Sequence, residues 1–227
     1  MTLNFVIPEL QLNGAGTPPL QFYKQGFRFG KDASGGLPEG YTEIKGLTNA
    51  GNTYIDTDVV VDVDDVEFEL RVKPTTGSWY IFQTRTSVIF GISGSANGNT
   101  ILLGWGGNSM FLSSSISRDT THIYYIKATA KNGNATLYVK DETANTENTK
   151  TGTYTFVEPT KNFYLWGNPN GDRVSSGNTI YYAKLKINGS TALNYIPCIN
   201  SDNVAGFYDT ASKTFKTPDS GSVTPVI

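Results

Sequence analysis

Residues 66–72, VEFELRV, alternate strictly, with Val66, Phe68, Leu70 and Val72 on one side and Glu67, Glu69 and Arg71 on the other. A period of two marks a strand with one face in a core and one in water. Two longer stretches repeat the device around a turn. THIYYIKATA and ATLYVKD flank Asn132-Gly133, and TIYYAKLKI and TALNYIPCI flank Asn188-Gly189. Asn-Gly readily takes the positive φ angles of a tight hairpin turn. Shorter apolar runs predict further strands at 52–57, 79–84, 87–92, 100–105, 109–112, 153–157, 162–166 and 204–208, and His122 stands where a strand begins. No stretch of ten or more residues has helical periodicity, 141–152 reads as a polar loop, and no repeat of fixed period is visible. The pattern predicts an all-β antiparallel β-sandwich spanning 37–227.

Residues 1–36 break this pattern. They carry Pro8, Pro18 and Pro19, separated glycines, and an aromatic patch with Phe22, Tyr23, Phe27 and Phe29 around two positive charges. Such an arm buries little core of its own, so its aromatics are expected to touch something else. Two readings stay open: an irregular strand packed on its own domain, or an attachment arm that docks on a partner or a sister subunit.

Composition sharpens the fold and trims the functions. Aromatics make up 12% of the 227 residues, charged residues 17%, and 24 are glycine, a mixture that favours strands and turns. The formal charge is −2 and no basic stripe or RNA-recognition motif is visible, so nucleic acid is not an expected partner. A lone Cys198 excludes an intrachain disulfide, and a lone His122 beside it excludes the usual zinc sites. No apolar run is long enough to cross a membrane as a helix, and MTLNFVIPELQLNG lacks the features of a secretory signal. The expectation is a chain made and folded in a cytoplasm, although an exported protein whose leader has been removed would read the same.

The closing stretch YIPCINSDNVAGFYDTASKTF predicts structure more than chemistry. Pro197 donates no ladder hydrogen bond and belongs at a strand end or edge. Phe207 and Phe215 flank a turn around Asp209, Ser212 and Lys213, and Cys198 is expected to be a small buried hydrophobe. Taken with Thr53 to Thr57, Ile180 to Ile187, Tyr195 to Cys198 and Gly206 to Asp209, residues 37–218 resemble the laminin-G-like or concanavalin A-like jelly-roll domains. Those domains occur in gut-bacterial surface proteins and in tail or fibre proteins of their phages. In that group a TQYIDTG-like strand opens the fold, and IYYxKIY followed by an FIPC…GLYD…F hairpin closes it.

Four kinds of chemistry are open to these residues. The acidic segment DVDDVEFE (62–69) is similar to the paired acids of sandwich-fold glycosidases, whose carboxyl groups stand roughly 5–5.5 Å apart in retaining enzymes. The central aspartate of that pattern is missing, so a solvated face is expected. No G-x-S-x-G elbow accompanies His122, which argues against a serine triad. DTDVVVDVDD and NPNGDRVSSGN offer oxygen ligands for calcium without EF-hand spacing, so no cofactor is expected and calcium is kept as an alternative. Carbohydrate binding is the favoured ligand chemistry, because sugar rings stack on exposed aromatic faces edged by polar groups. GSWYIFQTR, LLGWGGNS and YLWGNPNGDR each set a tryptophan beside Gly, Asn or Arg. The expected ligand residues are Trp105, Asn108, Trp166, Asn168, Asp172 and Arg173, against the alternative that the tryptophans belong to the core.

The resemblance implies a non-enzymatic virion protein, a phage head or tail fibre or a decoration protein. It would attach to other virion proteins through its arm, trimerise, and present a lectin-like module to a cell-surface glycan or protein. The alternative is a carbohydrate-binding or adhesin domain at the bacterial surface or secreted. An endo-glycanase ranks third.

Overall fold

A computed structural model describes residues 36–75, 79–85, 89–94, 100–105, 110–159, 161–167, 169 and 176–227. Gly35–Ile227 form one compact unit and Met1–Ser34 separate from it as another, so the expected arm lies outside the described residues apart from Gly36. Every regular element among the described residues is a strand. They are β1 (Tyr41–Glu43), β2 (Gly46–Asp56), β3 (Asp65–Lys73), β4 (Trp79–Arg85), β5 (Ile89–Gly94), β6 (Thr100–Trp105), β7 (Met110–Ser117) and β8 (Tyr124–Lys131). After them come β9 (Asn134–Asp141), β10 (Thr146–Thr153), β11 (Tyr164–Leu165), β12 (Thr179–Ile187), β13 (Ser190–Asn200), β14 (Ala205–Asp209), β15 (Thr214–Lys216) and β16 (Ser220–Val226).

All pairings are antiparallel. One sheet runs β10-β9-β8-β3-β12, and past β12 it divides. The first residues of β12 pair β2, which carries β16 along its other edge, and the rest of β12 pairs β13, which carries β1, β14 and β15. The second sheet runs β11-β4-β5-β6-β7, and the end of β2 joins it through β11. Alternation decides what each sheet buries. Val66, Phe68, Leu70 and Val72 of β3 point inward beside Tyr124, Ile126, Ala128 and Ala130 of β8. They meet Phe82, Trp105 and Phe163, whose ring centroids each lie 5.3 Å from that of Phe68. Removing such side chains from water stabilises the fold by roughly 1.5–3 kcal/mol each.

Both Asn-Gly turns form as expected, with φ of 50° and 73° at Asn132-Gly133 and 50° and 74° at Asn188-Gly189. The closing stretch folds into the β14–β15 hairpin. There the buried Asp209 accepts from the backbone N–H groups of Asn194 at 2.8 Å and Ala211 at 3.0 Å, and from the Ser212 hydroxyl at 2.6 Å. Cys198 is fully buried, and burial pushes its thiol up to about 11. Pro197 departs from expectation because it lies inside β13. Its backbone nitrogen faces the gap between β12, which stops pairing at Tyr195, and β1, which starts at Cys198, so no ladder bond is lost.

Three further expectations are corrected. The polar loop at 141–152 contains the edge strand β10, TENTKTGT, which pairs β9 over its whole length and shows no apolar alternation. The strand expected at 153–157 ends at Thr153, and Tyr154 instead donates its hydroxyl to Asp64. The C-terminal strand β16 was not anticipated. It fits because Gly221, at φ +74°, lets the strand pass over Thr53, whose Oγ1 lies 2.4 Å from where a Cβ would stand.

Candidate functional site

The structure separates the residues expected to bind ligand. Trp105 and Trp166 are both fully buried. Trp105 packs edge-on to Phe68, and Trp166, at φ 63°, lies 5.5 Å from Phe207. A ring covered on all sides offers no face for a sugar, so both tryptophans are corrected from stacking platforms to core residues. Register also parts them. β6 runs parallel to β4 and carries Trp105 toward the end of β4, while β11 runs antiparallel to β4 and carries Trp166 back to the level of Ile81. Asn108, Asn168, Asp172 and Arg173 lie outside the described residues, as does the side chain of Trp79.

An organised polar surface stands instead on the outward face of the first sheet, built by the residues between the core positions. Its cross-strand rows follow from register. Tyr182 of β12, Arg71 of β3, Tyr125 of β8 and Lys140 of β9 stand abreast. The next row sets Lys184, Glu69, Lys127 and Tyr138 in the same strand order. Lys186, Glu67, Thr129 and Thr136 form a third. Tyr125, Tyr138 and Tyr182 are half-buried, as is Tyr181 at the bulge beside them.

The rings are held by their neighbours. Tyr125 and Tyr138 meet edge to face with centroids 6.0 Å apart. The Tyr138 hydroxyl donates to Glu147 at 2.6 Å. The Arg71 guanidinium lies 4.8 Å over the Tyr181 ring while its Nε donates to Glu142 at 2.7 Å. Burial pushes the Tyr182 hydroxyl well above the usual phenol range and raises that of Tyr125, so both are neutral donors.

Of the paired carboxylates on this face, Glu67 is not poised for acid–base work. Burial pushes the Glu67 carboxyl upward, but Lys127 and Lys186, each 2.7 Å away, outweigh it and bring it down to about 2. A carboxyl that stays ionised at every ordinary pH cannot serve as the general acid of glycoside hydrolysis. Glu69 lies 3.9 Å from the same Lys127. The two acids that alternation placed together are therefore spanned by lysines.

His122, expected to begin a strand, sits instead in the turn before β8, two residues ahead of its first residue Tyr124. Its Nδ1 lies 2.7 Å from the Asp141 carboxylate, and its Nε2 points to Asp119 at 3.8 Å. With a carboxylate near each nitrogen, the ring clamps the turn before β8 to the end of β9. The acidic segment is likewise turned to protein donors. Asp56 accepts from the Asp58 N–H at 2.8 Å and from Asn162 at 2.9 Å, and Asp64 accepts from the Gly133 N–H at 3.0 Å. Among the described residues no group of three His, Cys, Asp or Glu could hold a metal ion, and no helix is long and apolar enough to cross a membrane.

The sequence matches no protein-family model and no curated protein. Solved structures do resemble it. The LG1-3 region of the laminin alpha2 chain superposes with a TM-score of 0.52 at 10% identity, over 81% of this chain and 35% of that one. The enzymatically active domain of tailspike protein 2 from bacteriophage CBA120 gives 0.48 at 11% identity, over 62% and 25%. A SAP-like pentraxin from Limulus polyphemus gives 0.45 at 14% identity, over 63% and 75%. The chain thus spans about a third or less of the first two proteins it is similar to. It has the laminin-G-like, concanavalin A-like jelly-roll fold, an antiparallel β-sandwich.

Proposed function

We propose that the chain is a non-enzymatic glycan-binding module carried on a virion, as part of a phage head or tail fibre or as a decoration protein. The observation that carries the binding reading is the outward face of the first sheet, where tyrosine rings, neutral hydroxyls and ion-paired acids share one surface. Sugar rings stack on such aromatic faces, while flanking polar groups take the hydroxyls. The virion setting rests on the resemblance of the opening and closing motifs to phage tail and fibre domains. In this reading residues 1–36 attach the module to other virion proteins, and the attached form is a homotrimer. The same face would serve an exported bacterial adhesin, so mass spectrometry of purified virions separates the two settings.

The binding test is a glycan array with the intact chain. Wild-type protein should label a defined set of glycans, Tyr125→Ala with Tyr138→Ala should lose them, and bound oligosaccharides should release no reducing ends. Signal that survives the tyrosine changes but falls with Arg173→Ala would move the site to the YLWGNPNGDR segment of the sequence expectation. Release of reducing ends would show an enzyme.

A further inference from the structure

The outward face of the first sheet has a charge that the chain as a whole does not. β3 brings Arg71 and Lys73, β8 brings Lys127 and Lys131, β9 brings Lys140, and β12 brings Lys184 and Lys186. Within β10, β9, β8, β3 and β12 the carboxylates at outward positions are Asp65, Glu67, Glu69 and Glu147, which leaves these five strands a surplus of three positive charges. Glu142, reached by Arg71 from the turn after β9, lowers the surplus to two. The whole chain carries −2. No single run of sequence is basic, and the surplus appears only when five strands are set side by side.

The surplus is also unspent. Lys127 and Lys186 are tied to Glu67 at 2.7 Å, and Lys131 to Asp65 at 2.6 Å. Glu147, opposite Lys140 in the ladder, takes the Tyr138 hydroxyl. Lys140 and Lys184 have no ion pair among the described residues. Lys140 stands beside Tyr125 in one row, and Lys184 begins the next row, which ends on Tyr138. Three strand spacings separate the two lysines, roughly 14 Å.

We infer that this face binds an acidic polysaccharide, with Tyr125 and Tyr138 under its rings and Lys140 and Lys184 on its anionic groups. The inference rests on the glycan-binding reading above and names the class of glycan. A nucleic acid fits less well. Its backbone carries a charge at every phosphate, and here it would lie across Glu67 and Glu69 without a donor to offer them. An acidic polysaccharide carries free hydroxyl groups beside its anionic ones, and those carboxylates accept from them.

The test is affinity electrophoresis of the intact chain through gels containing polygalacturonate, dextran sulfate, neutral dextran or oligothymidylate. Retardation by either acidic polysaccharide and not by neutral dextran is expected, and the two acidic gels distinguish carboxylate from sulfate. Lys140→Ala with Lys184→Ala should weaken retardation about tenfold, the scale of two exposed charge contacts, with an unchanged thermal melt. Lys45→Ala, on a different part of the surface, should leave it unaltered. Tyrosine-dependent retardation by neutral dextran, indifferent to the double lysine change, would overturn the acidic class and keep glycan binding. Stronger retardation by oligothymidylate overturns the inference in favour of nucleic acid. Retardation by none of the four overturns it together with the glycan-binding reading.

Discussion

At the scale of single residues, Gly91 shows how little freedom the second sheet has. Its φ is +142°, and a Cβ there would stand 2.0 Å from the Phe82 carbonyl oxygen and 2.6 Å from the Gln83 Cα. Gly91→Ala should therefore lower unfolding free energy in urea by at least about 2 kcal/mol. Gly51→Ala, at φ +62° with open space around it, should cost only about 1 kcal/mol. Trp166→Ala should cost about 3–5 kcal/mol, the toll of emptying a buried aromatic site. A melt unchanged by Trp166→Ala would restore that residue as a ligand candidate. His122 carries a pH effect. The Asp141 hydrogen bond raises its pKa from the ordinary 6.5, so its stabilising contribution is full below 6.5 and fades as pH climbs through the raised value. Burial pushes Asp141 up, but the Ala144 N–H and His122 outweigh it, so its contribution is full above 3.8 and fades as pH falls through the lowered value. The melting temperature of His122→Ala should trail wild type most between those limits and converge with it at alkaline pH. Parallel curves across that range would remove the clamp.

Elements were legible in the sequence wherever one face is buried and the other wet. VEFELRV and the two Asn-Gly hairpins fall where alternation put them, because inward Val66, Phe68, Leu70 and Val72 leave no other register. The tryptophan segments misled for the same reason. A glycine next to a tryptophan does not reveal which side of the strand the ring takes, and register put both rings inside. β10 was hidden because its strand character comes from pairing with β9, not from its own polar side chains. The basic tyrosine face was hidden because its residues are far apart in sequence and meet only through cross-strand register. β16 was hidden because its hold on the fold is partly polar. The buried Thr53 hydroxyl lies 2.9 Å from the Ser222 carbonyl, and the Ser222 N–H donates back to it at 3.1 Å. Thr53→Val should cost about 1–2 kcal/mol by stranding those groups. It should also speed amide exchange along β16 before the rest of the sheet, and exchange accelerating everywhere at once would show that β16 is not a separate unit.

At the scale of the whole molecule, one sandwich performs two tasks: its interior holds a continuous apolar core, and its outward sheet face assembles a surface that no local sequence displays. Deleting residues 1–36 should leave a soluble domain with a single cooperative melt while abolishing incorporation into virions or trimer formation. An insoluble product would mean that this segment belongs to the core. The central claim is that the tyrosine-bearing face of the first sheet is where ligand binds. The measurement that bears on it most directly is an amide chemical-shift map of the intact chain titrated with oligogalacturonate. The account predicts perturbations concentrated on β3, β8, β9 and β12 around Arg71, Tyr125, Tyr138 and Lys184. Perturbations confined to segments 106–109 and 168–175, with those four strands silent, would contradict it.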